Sequence, residues 1–252
     1  MSGAPFSNAA RNLRQLRNSP ASWSFALLIL AIQLAVTWGG GPELEPAATA
    51  FHEMGLSRDG LLAGKVWQLL TYGFLHGGWL HAGLNAAFIL LIGSRVEYIT
   101  GGTAMSRVVL AGVIGGGLAH LALAAGGDET QRLVGISGGC MALLLMLTTL
   151  SPQSRMMPLP VSGRSLGLGV LAAELILALA DPALGVPVFL NLGNWLVGHG
   201  LGHWFQMGHA CHFGGGVAGW LFGRWLLRPR INLERLRRDR ERQEARESAR
   251  VK

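Results

Sequence analysis

The chain has 252 residues, of which 50% are hydrophobic and only 14% are charged. Soluble domains usually carry about 25% charged residues, so this composition excludes an ordinary soluble protein. The net charge is +7, but arginines alternate with acidic residues over residues 229–252, which argues against a nucleic-acid partner. The 37 glycines lie mainly in apolar stretches. Glycine-rich apolar segments are typical of packed membrane helices.

Six apolar runs follow one another along the chain, each close to the length of about 20 residues that crosses a bilayer. They predict an all-α fold, a polytopic membrane protein with a bundle of six transmembrane helices. We expect a cytoplasmic segment at 1–21, a membrane domain at 22–228 and a charged cytoplasmic tail at 229–252. The predicted spans are 23–39, 80–98, 108–125, 134–150, 166–180 and 208–227.

The first run has a rival interpretation as a signal peptide, because the small residues 48–50 look like a cleavage site. Glu43, Glu45 and Pro46 separate that site from the apolar run. We therefore interpret the first run as a membrane span.

Two segments between spans are apolar but interrupted. An amphipathic stretch at 61–77 precedes the second span. The second segment, 183–206, lies before the last span and favours a re-entrant or interfacial loop over a seventh span, because polar residues and proline disrupt a lipid-facing helix. Its interrupting residues are Pro187, Asn191, Asn194, His199 and His203.

The placement of basic residues predicts the orientation, because cytoplasmic loops are enriched in lysine and arginine. Arginines lie before the first span, between the second and third spans, between the fourth and fifth spans, and in the C-terminal tail. These four segments lie on the same side of the membrane only if the number of spans is even. This predicts two cytoplasmic termini and places 40–66, 126–133 and 181–207 outside. The arginines are Arg11, Arg14, Arg17, Arg95, Arg107, Arg155 and Arg164, besides those of the tail.

Polar residues within spans are costly and mark functional sites. Ser137, in the string Gly135-Ile136-Ser137-Gly138, lies at the outer end of the fourth span. A lone serine in a membrane helix usually bonds to its own backbone. Here Gly135 and Gly138 leave room around the hydroxyl for another helix or a carbonyl group.

On the sixth span, His212, Gly215 and Gly219 fall on one helical face. Small residues on such a face let two membrane helices pack closely. His212 could then reach a hydroxyl on the facing helix, or it could merely bond a carbonyl.

On the second span, His81 and Asn85 are four residues apart and share a face. Both can donate hydrogen bonds, and one donor aimed at a developing oxyanion contributes roughly 3–4 kcal/mol. As an alternative, Asn85 joins two helices at about 1 kcal/mol.

The strings HGGWLHAGLN, GISG and HFGGGVAG, in this order, resemble the rhomboid intramembrane serine proteases. The resemblance covers 64–230 and includes Glu97 and Gly101, which are similar to the family's Glu-x-x-x-Gly after the second span.

The resemblance implies a six-helix core with a serine–histidine dyad and no metal or other cofactor. Ser137 would be the nucleophile and His212 the general base and acid. Asn85 and His81, with the Ser137 backbone N–H, would bind the oxyanion, while His76 would be structural. The motif glycines Gly135, Gly138, Gly215 and Gly219 would support this site.

The implied substrates are transmembrane proteins that enter laterally from the lipid of a cell inner membrane or plasma membrane. Residues 183–206 would form the gate for this entry. The oligomeric state is not implied.

The sequence departs from the family where many members carry an aromatic residue four positions after the serine, since Met141 stands there. The Trp-Arg pair that is common in the first external loop is missing from 40–65. No buried aspartate is expected near His212 to orient it, because Asp128 and Glu129 lie in an external loop; the dyad would rely on packing. Glu174 has no assigned role beyond bonding a histidine or a backbone group.

Two other functions remain open. A rhomboid-like protein could bind membrane clients without cutting them. A metal or haem protein could use His76, His81, His209 and His212, although no HExxH or Cys-x-x-Cys spacing is present. His120, His199 and His203 favour structural roles for the same reason.

Overall fold

A computed structural model describes residues 13–123, 132–156, 160–229 and 233–250. Within these ranges the chain is helical and pairs as β-structure only at two isolated bridges, Leu56 with Leu133 and Arg155 with Ser162. The predicted all-α fold is confirmed. The expectations about Arg11, Asp128 and Glu129 concern residues outside the described ranges.

The helices are numbered in chain order. Each of the six predicted spans coincides with a helix over most of its length, and most ends differ by only a few residues. The α-helices of the described residues are α1 (Pro20–Trp38), α2 (Ala47–Met54), α3 (Arg58–Leu62), α4 (Gln68–Thr71), α5 (Trp79–Phe88), α6 (Ser94–Thr100), α7 (Gly102–Leu123), α8 (Ser137–Leu150), α9 (Gly163–Leu179), α10 (Pro187–Gly198), α11 (His209–Leu226) and α12 (Leu233–Arg250).

Three described helices are long and apolar enough to cross a bilayer by length and composition: α1, the continuous helix Trp79–Thr100, and α7. The continuous helix joins α5 and α6 through a π-helical turn at Ile89–Gly93. α8 is apolar but shorter, with 14 residues. Together with α9 and α11, these helices form the predicted rhomboid-like bundle.

α8 lies at the centre of the bundle, where most of its residues are buried. Glycines let the neighbouring helices approach its backbone. A Cβ at Gly112 of α7 would meet the side chain of Ala142, and a Cβ at Gly167 of α9 would lie 2.7 Å from Thr148 Oγ1. The helix that begins at Ser137 is therefore held by close backbone packing.

Glu97 joins the second span to the start of the first. Its buried carboxylate accepts hydrogen bonds from the backbone N–H groups of Ala21 (2.9 Å) and Ser22 (2.8 Å), and from the Ser22 hydroxyl (2.8 Å). These N–H groups lie in the first turn of α1, where no helical acceptor exists. Gly101, with φ of +84°, then ends α6 in a conformation that favours glycine.

The segment 183–206 differs from the loop that the sequence favoured. It contains the 12-residue helix α10 and leads into a 3₁₀ turn at Gly202–Met207. Pro187 begins the helix, where its missing N–H costs nothing. A helix of this size is about 18 Å long, which is less than the roughly 30 Å of a hydrocarbon core.

The amphipathic stretch 61–77 is not one helix. Residues 58–74 form the short helices α3 and α4 and the 3₁₀ turn Tyr72–Phe74. Gly64, with φ of +86°, interrupts the pattern between α3 and α4.

In the C-terminal tail, α12 carries ion pairs at four-residue spacing, Glu234 with Arg238 and Arg240 with Glu244.

Candidate active site

Ser137 is the first residue of α8. The chain reaches it through Gly135, whose N–H donates to the carbonyl of Tyr72 at 2.9 Å, and through the turn at Ile136. The first backbone N–H groups of a helix have no acceptor within the helix. The serine hydroxyl therefore lies beside backbone donors.

Gly135 is required by its conformation and by its surroundings. Its φ is +112°, which L side chains rarely adopt, and a Cβ would lie 2.6 Å from Cε1 of His81 and 2.7 Å from its Nε2. The His81 ring thus lies directly against the backbone that leads to Ser137.

α11 crosses the same end of α8 in backbone contact. A Cβ at Gly215 would collide with the backbone of Gly138, and one at Gly219 would collide with the backbone of Ala142. On the other side, a Cβ at Gly138 would lie 2.9 Å from the carbonyl oxygen of Gly112. Because these glycines have no side chains, α11, which carries His212, can lie directly against α8, which carries Ser137.

Replacing Gly215 with alanine is expected to destabilise the protein, because overpacking a close helix contact costs about 1–3 kcal/mol. The thermal midpoint in detergent measures the effect. Gly169→Ala in α9 is the matched control, since a Cβ there meets nothing within 4 Å. Equal midpoints for the two variants would contradict the close-packing interpretation.

Ser137 and His212 lie within hydrogen-bond distance, with 2.9 Å between Ser137 Oγ and His212 Nε2. Both residues are partly buried, and 15% of the His212 side chain is exposed. The sequence placed them on different spans without showing that they meet. The structure brings them together, 75 residues apart in the chain.

Asn85 is buried, and its two amide atoms differ in their partners. The Cys140 thiol donates to Oδ1 at 3.5 Å. Nδ2 is buried without a hydrogen-bond partner among the described residues. Such a group costs free energy unless something else accepts from it, so the amide is a free donor close to the Ser137 turn.

His76 lies beside the residues of the candidate site rather than among them. Its ring meets the His81 ring edge-on, with 4.8 Å between the centroids. Burial, with the neighbouring His81, lowers the pKa of His76 to about 4. His76 is therefore neutral near pH 7, which fits the structural role that the resemblance implied.

Glu174 has the histidine partner that was one of its two expected roles, and it corrects the expectation that the dyad relies on packing alone. Both of its carboxylate oxygens lie 3.3 Å from His212 Nδ1, on the opposite side of the ring from Ser137. Glu174 Oε2 also lies 2.7 Å from His209 Nδ1. The sequence could not place this contact because it joins α9 to α11 across the bundle.

Sequence reasoning missed His209 as part of this group and considered it only as a metal ligand. Its Nε2 lies 3.0 Å from the carbonyl oxygen of Trp204. The spacing of three residues between His209 and His212 was the available signal, because it places both rings on neighbouring positions of one helix.

A cavity of about 1110 Å³ contains the site. Ser137, His212, His81, Asn85 and Met141 line it. The 3₁₀ turn Gly202–Met207 contributes Phe205, Gln206 and Met207 to its lining. The candidate nucleophile is thus accessible from a space large enough for a peptide segment.

Glu174, His209 and His212 also present ligand atoms within 4.8 Å of one another, the spacing of a possible metal site within the described ranges. His76 and His81 are not part of that group. The four-histidine metal or haem site considered from the sequence therefore does not form as one cluster among the described residues.

Comparison with known proteins agrees with the resemblance. The Rhomboid domain family matches residues 63–229. Rhomboid-related protein 3 of Homo sapiens is 43% identical over 83 residues, and its Mus musculus counterpart is 41% identical over 83 residues. Each match covers 33% of this chain but only 20% of the relative, so the chain aligns with a fifth of those proteins. The family match covers most of the chain and includes every span after the first, and this multi-pass membrane protein belongs to the rhomboid family.

Proposed function

We propose that the chain is an intramembrane serine endopeptidase that hydrolyses peptide bonds in or near transmembrane segments of other membrane proteins. The observation that carries the proposal is the 2.9 Å contact between Ser137 Oγ and His212 Nε2 in an open cavity. A hydroxyl becomes a strong nucleophile when a neighbouring base takes its proton.

In the first step, Ser137 Oγ attacks the carbonyl carbon of the scissile bond while its proton moves to His212 Nε2. The tetrahedral intermediate collapses when His212 returns that proton to the leaving amine, which leaves an ester on Ser137. A water molecule then attacks the ester carbonyl carbon while His212 takes one of its protons. The bond to Ser137 breaks, and His212 returns the proton to Ser137 Oγ.

The negative charge on the carbonyl oxygen needs donors in place before the reaction. The unpaired Asn85 Nδ2, the His81 ring and the Ser137 backbone N–H are the proposed donors. Fixed donors in a site that excludes bulk water stabilise such charge more than they do in water.

The length of α8 supports hydrolysis within the membrane. Its 14 residues span about 21 Å, roughly 9 Å less than a hydrocarbon core. A serine at the first residue then lies below the membrane surface, and the cavity supplies its water. The arginine distribution supports the proposal that this end lies outside, with both termini in the cytoplasm, in a cell inner membrane or plasma membrane.

Substrates would enter sideways from the lipid past α10. Val188 and Trp195 of this helix are 83% and 55% exposed, as expected for residues that face lipid. A substrate helix must open locally before its carbonyl can reach Ser137, because its backbone is already hydrogen-bonded. Residues that weaken the substrate helix should therefore increase cleavage.

The test uses the full chain in liposomes with a model transmembrane substrate. We expect cleavage that persists with a metal chelator, and labelling of Ser137 by a fluorophosphonate. Substrate binding without cleavage, together with no labelling, would instead favour the non-proteolytic client-binding protein. Stoichiometric metal in the purified protein with chelator-sensitive activity would favour a metal site.

A further inference from the structure

The Ser137–His212 pair is the end of a longer chain of hydrogen bonds through the bundle. From Ser137 the contacts pass to His212, Glu174, His209 and the carbonyl of Trp204. Each contact is between 2.7 and 3.3 Å. The chain joins α8, α11 and α9 to the 3₁₀ turn that lines the cavity.

The acceptor groups along this chain indicate which ring nitrogens carry protons. A carbonyl oxygen only accepts, so His209 Nε2 carries a proton and donates to Trp204. One proton lies between His209 Nδ1 and Glu174 Oε2. His212 Nδ1 in turn donates to the Glu174 carboxylate.

A general base is a neutral imidazole, and with its single proton on Nδ1, His212 Nε2 faces the Ser137 hydroxyl as an acceptor at 2.9 Å. A neutral imidazole has one donor and one acceptor nitrogen, and a partner on one nitrogen selects the form of the other. The general base requires the form in which Nε2 accepts. Glu174 selects that form through Nδ1.

We infer that Glu174 is a positioning residue for His212, held in place by His209, so that this rhomboid-family site works as an acid-supported triad. The inference rests on the proposed function. It also accounts for Met141: hydrogen bonds to both ring nitrogens hold the imidazole where an aromatic residue is absent.

His209 has the matching task of holding the carboxylate. Its Nδ1 contact with Glu174 is shorter than either contact between Glu174 and His212, at 2.7 Å against 3.3 Å. The His209 side chain is only 6% exposed, which limits the access of water to its contact with the carboxylate.

The test compares Glu174→Gln and Glu174→Leu in the full-length protein. Glutamine can still accept from His212 and donate to His209 Nδ1, but it lacks the charge that stabilises the imidazolium. Leucine removes both the hydrogen bonds to the two histidines and the negative charge. Because hydrogen bonds to charged groups are about twice as strong as neutral ones, we expect kcat to fall about tenfold for glutamine and about hundredfold for leucine, with KM unchanged.

Glu97→Gln is the matched control, since it removes another buried carboxylate that caps α1 far along the chain from this site. It should lower the thermal midpoint without a selective fall in kcat. The rate of fluorophosphonate labelling of Ser137 gives a second reading that needs no substrate, and it should fall in the same order.

Wild-type kcat and labelling rates in both Glu174 variants would overturn the inference while leaving the protease proposal intact. If instead the wild type neither cleaves nor labels, the proposed function itself fails. Glutamine is nearly isosteric with glutamate, so its variant remains informative if the leucine variant does not fold.

Discussion

Replacing Ser137 or His212 with alanine is expected to reduce cleavage of a transmembrane substrate by about 10⁴-fold or more, because the two side chains act as one unit. Without Ser137 no ester can form, and without His212 the hydroxyl keeps its proton. The double variant should be no slower than either single variant, since the first substitution already removes the function of the second. Initial rates in liposomes at equal amounts of folded protein measure the effect.

Ser24→Ala is the control for the serine substitution. Ser24 is exposed on α1, and in the described part of the chain its hydroxyl donates to the carbonyl of Pro20 in the same helix at 2.8 Å. It should cleave at the wild-type rate. Cleavage by the Ser137 variant at the rate of this control would refute the assignment of the nucleophile.

Replacing Asn85 with alanine is expected to lower kcat by about 10²- to 10³-fold, the usual effect of removing one oxyanion donor. KM should change little, because the donor acts on charge that develops only during the reaction. The structural basis is the buried Nδ2 that has no acceptor among the described residues. Kinetics with a titrated substrate separate the two constants.

Gln33→Leu tests whether any buried amide in a span behaves in the same way. Gln33 is 3% exposed on α1, and its Oε1 has no hydrogen-bond partner in the described part of the chain. Removing an unsatisfied group is nearly neutral or stabilising, so activity should persist. A fall in stability without a fall in kcat at Asn85 would instead mean that the amide joins helices.

Local patterns were sufficient for the fold because each span is recognisable from its own residues. Runs of apolar residues and the prolines and glycines at their ends predicted the six helices within a few residues. The prediction was weakest at 183–206, where polar residues indicated a loop and the structure contains α10. Such a helix depends on contacts elsewhere: Gly193 packs against the carbonyl of Ala180, which no local pattern reveals.

The candidate site was predictable in its parts but not in its connections. The motifs marked Ser137, His212, His81 and Asn85, since polar residues and glycines stand out in apolar spans. Glu174 was recognised as an unusual acid that would bond a histidine or a backbone group, but no particular histidine could be named. Its partners are 35 and 38 residues away, and nothing in the spacing indicates which faces of α9 and α11 meet.

The sequence by itself determined the fold class and the residues that could carry chemistry. Polar groups are costly in lipid, so both the apolar spans and the few polar residues within them can be recognised along the sequence. Only the tertiary structure decided which of these residues meet. The contact of Ser137 with His212 depends on backbone packing at Gly138 and Gly215, and the contact of Glu174 with both histidines depends on how α9 packs against α11. Helix packing is set by side chains that are distant in the chain, so it emerges only when the bundle is assembled.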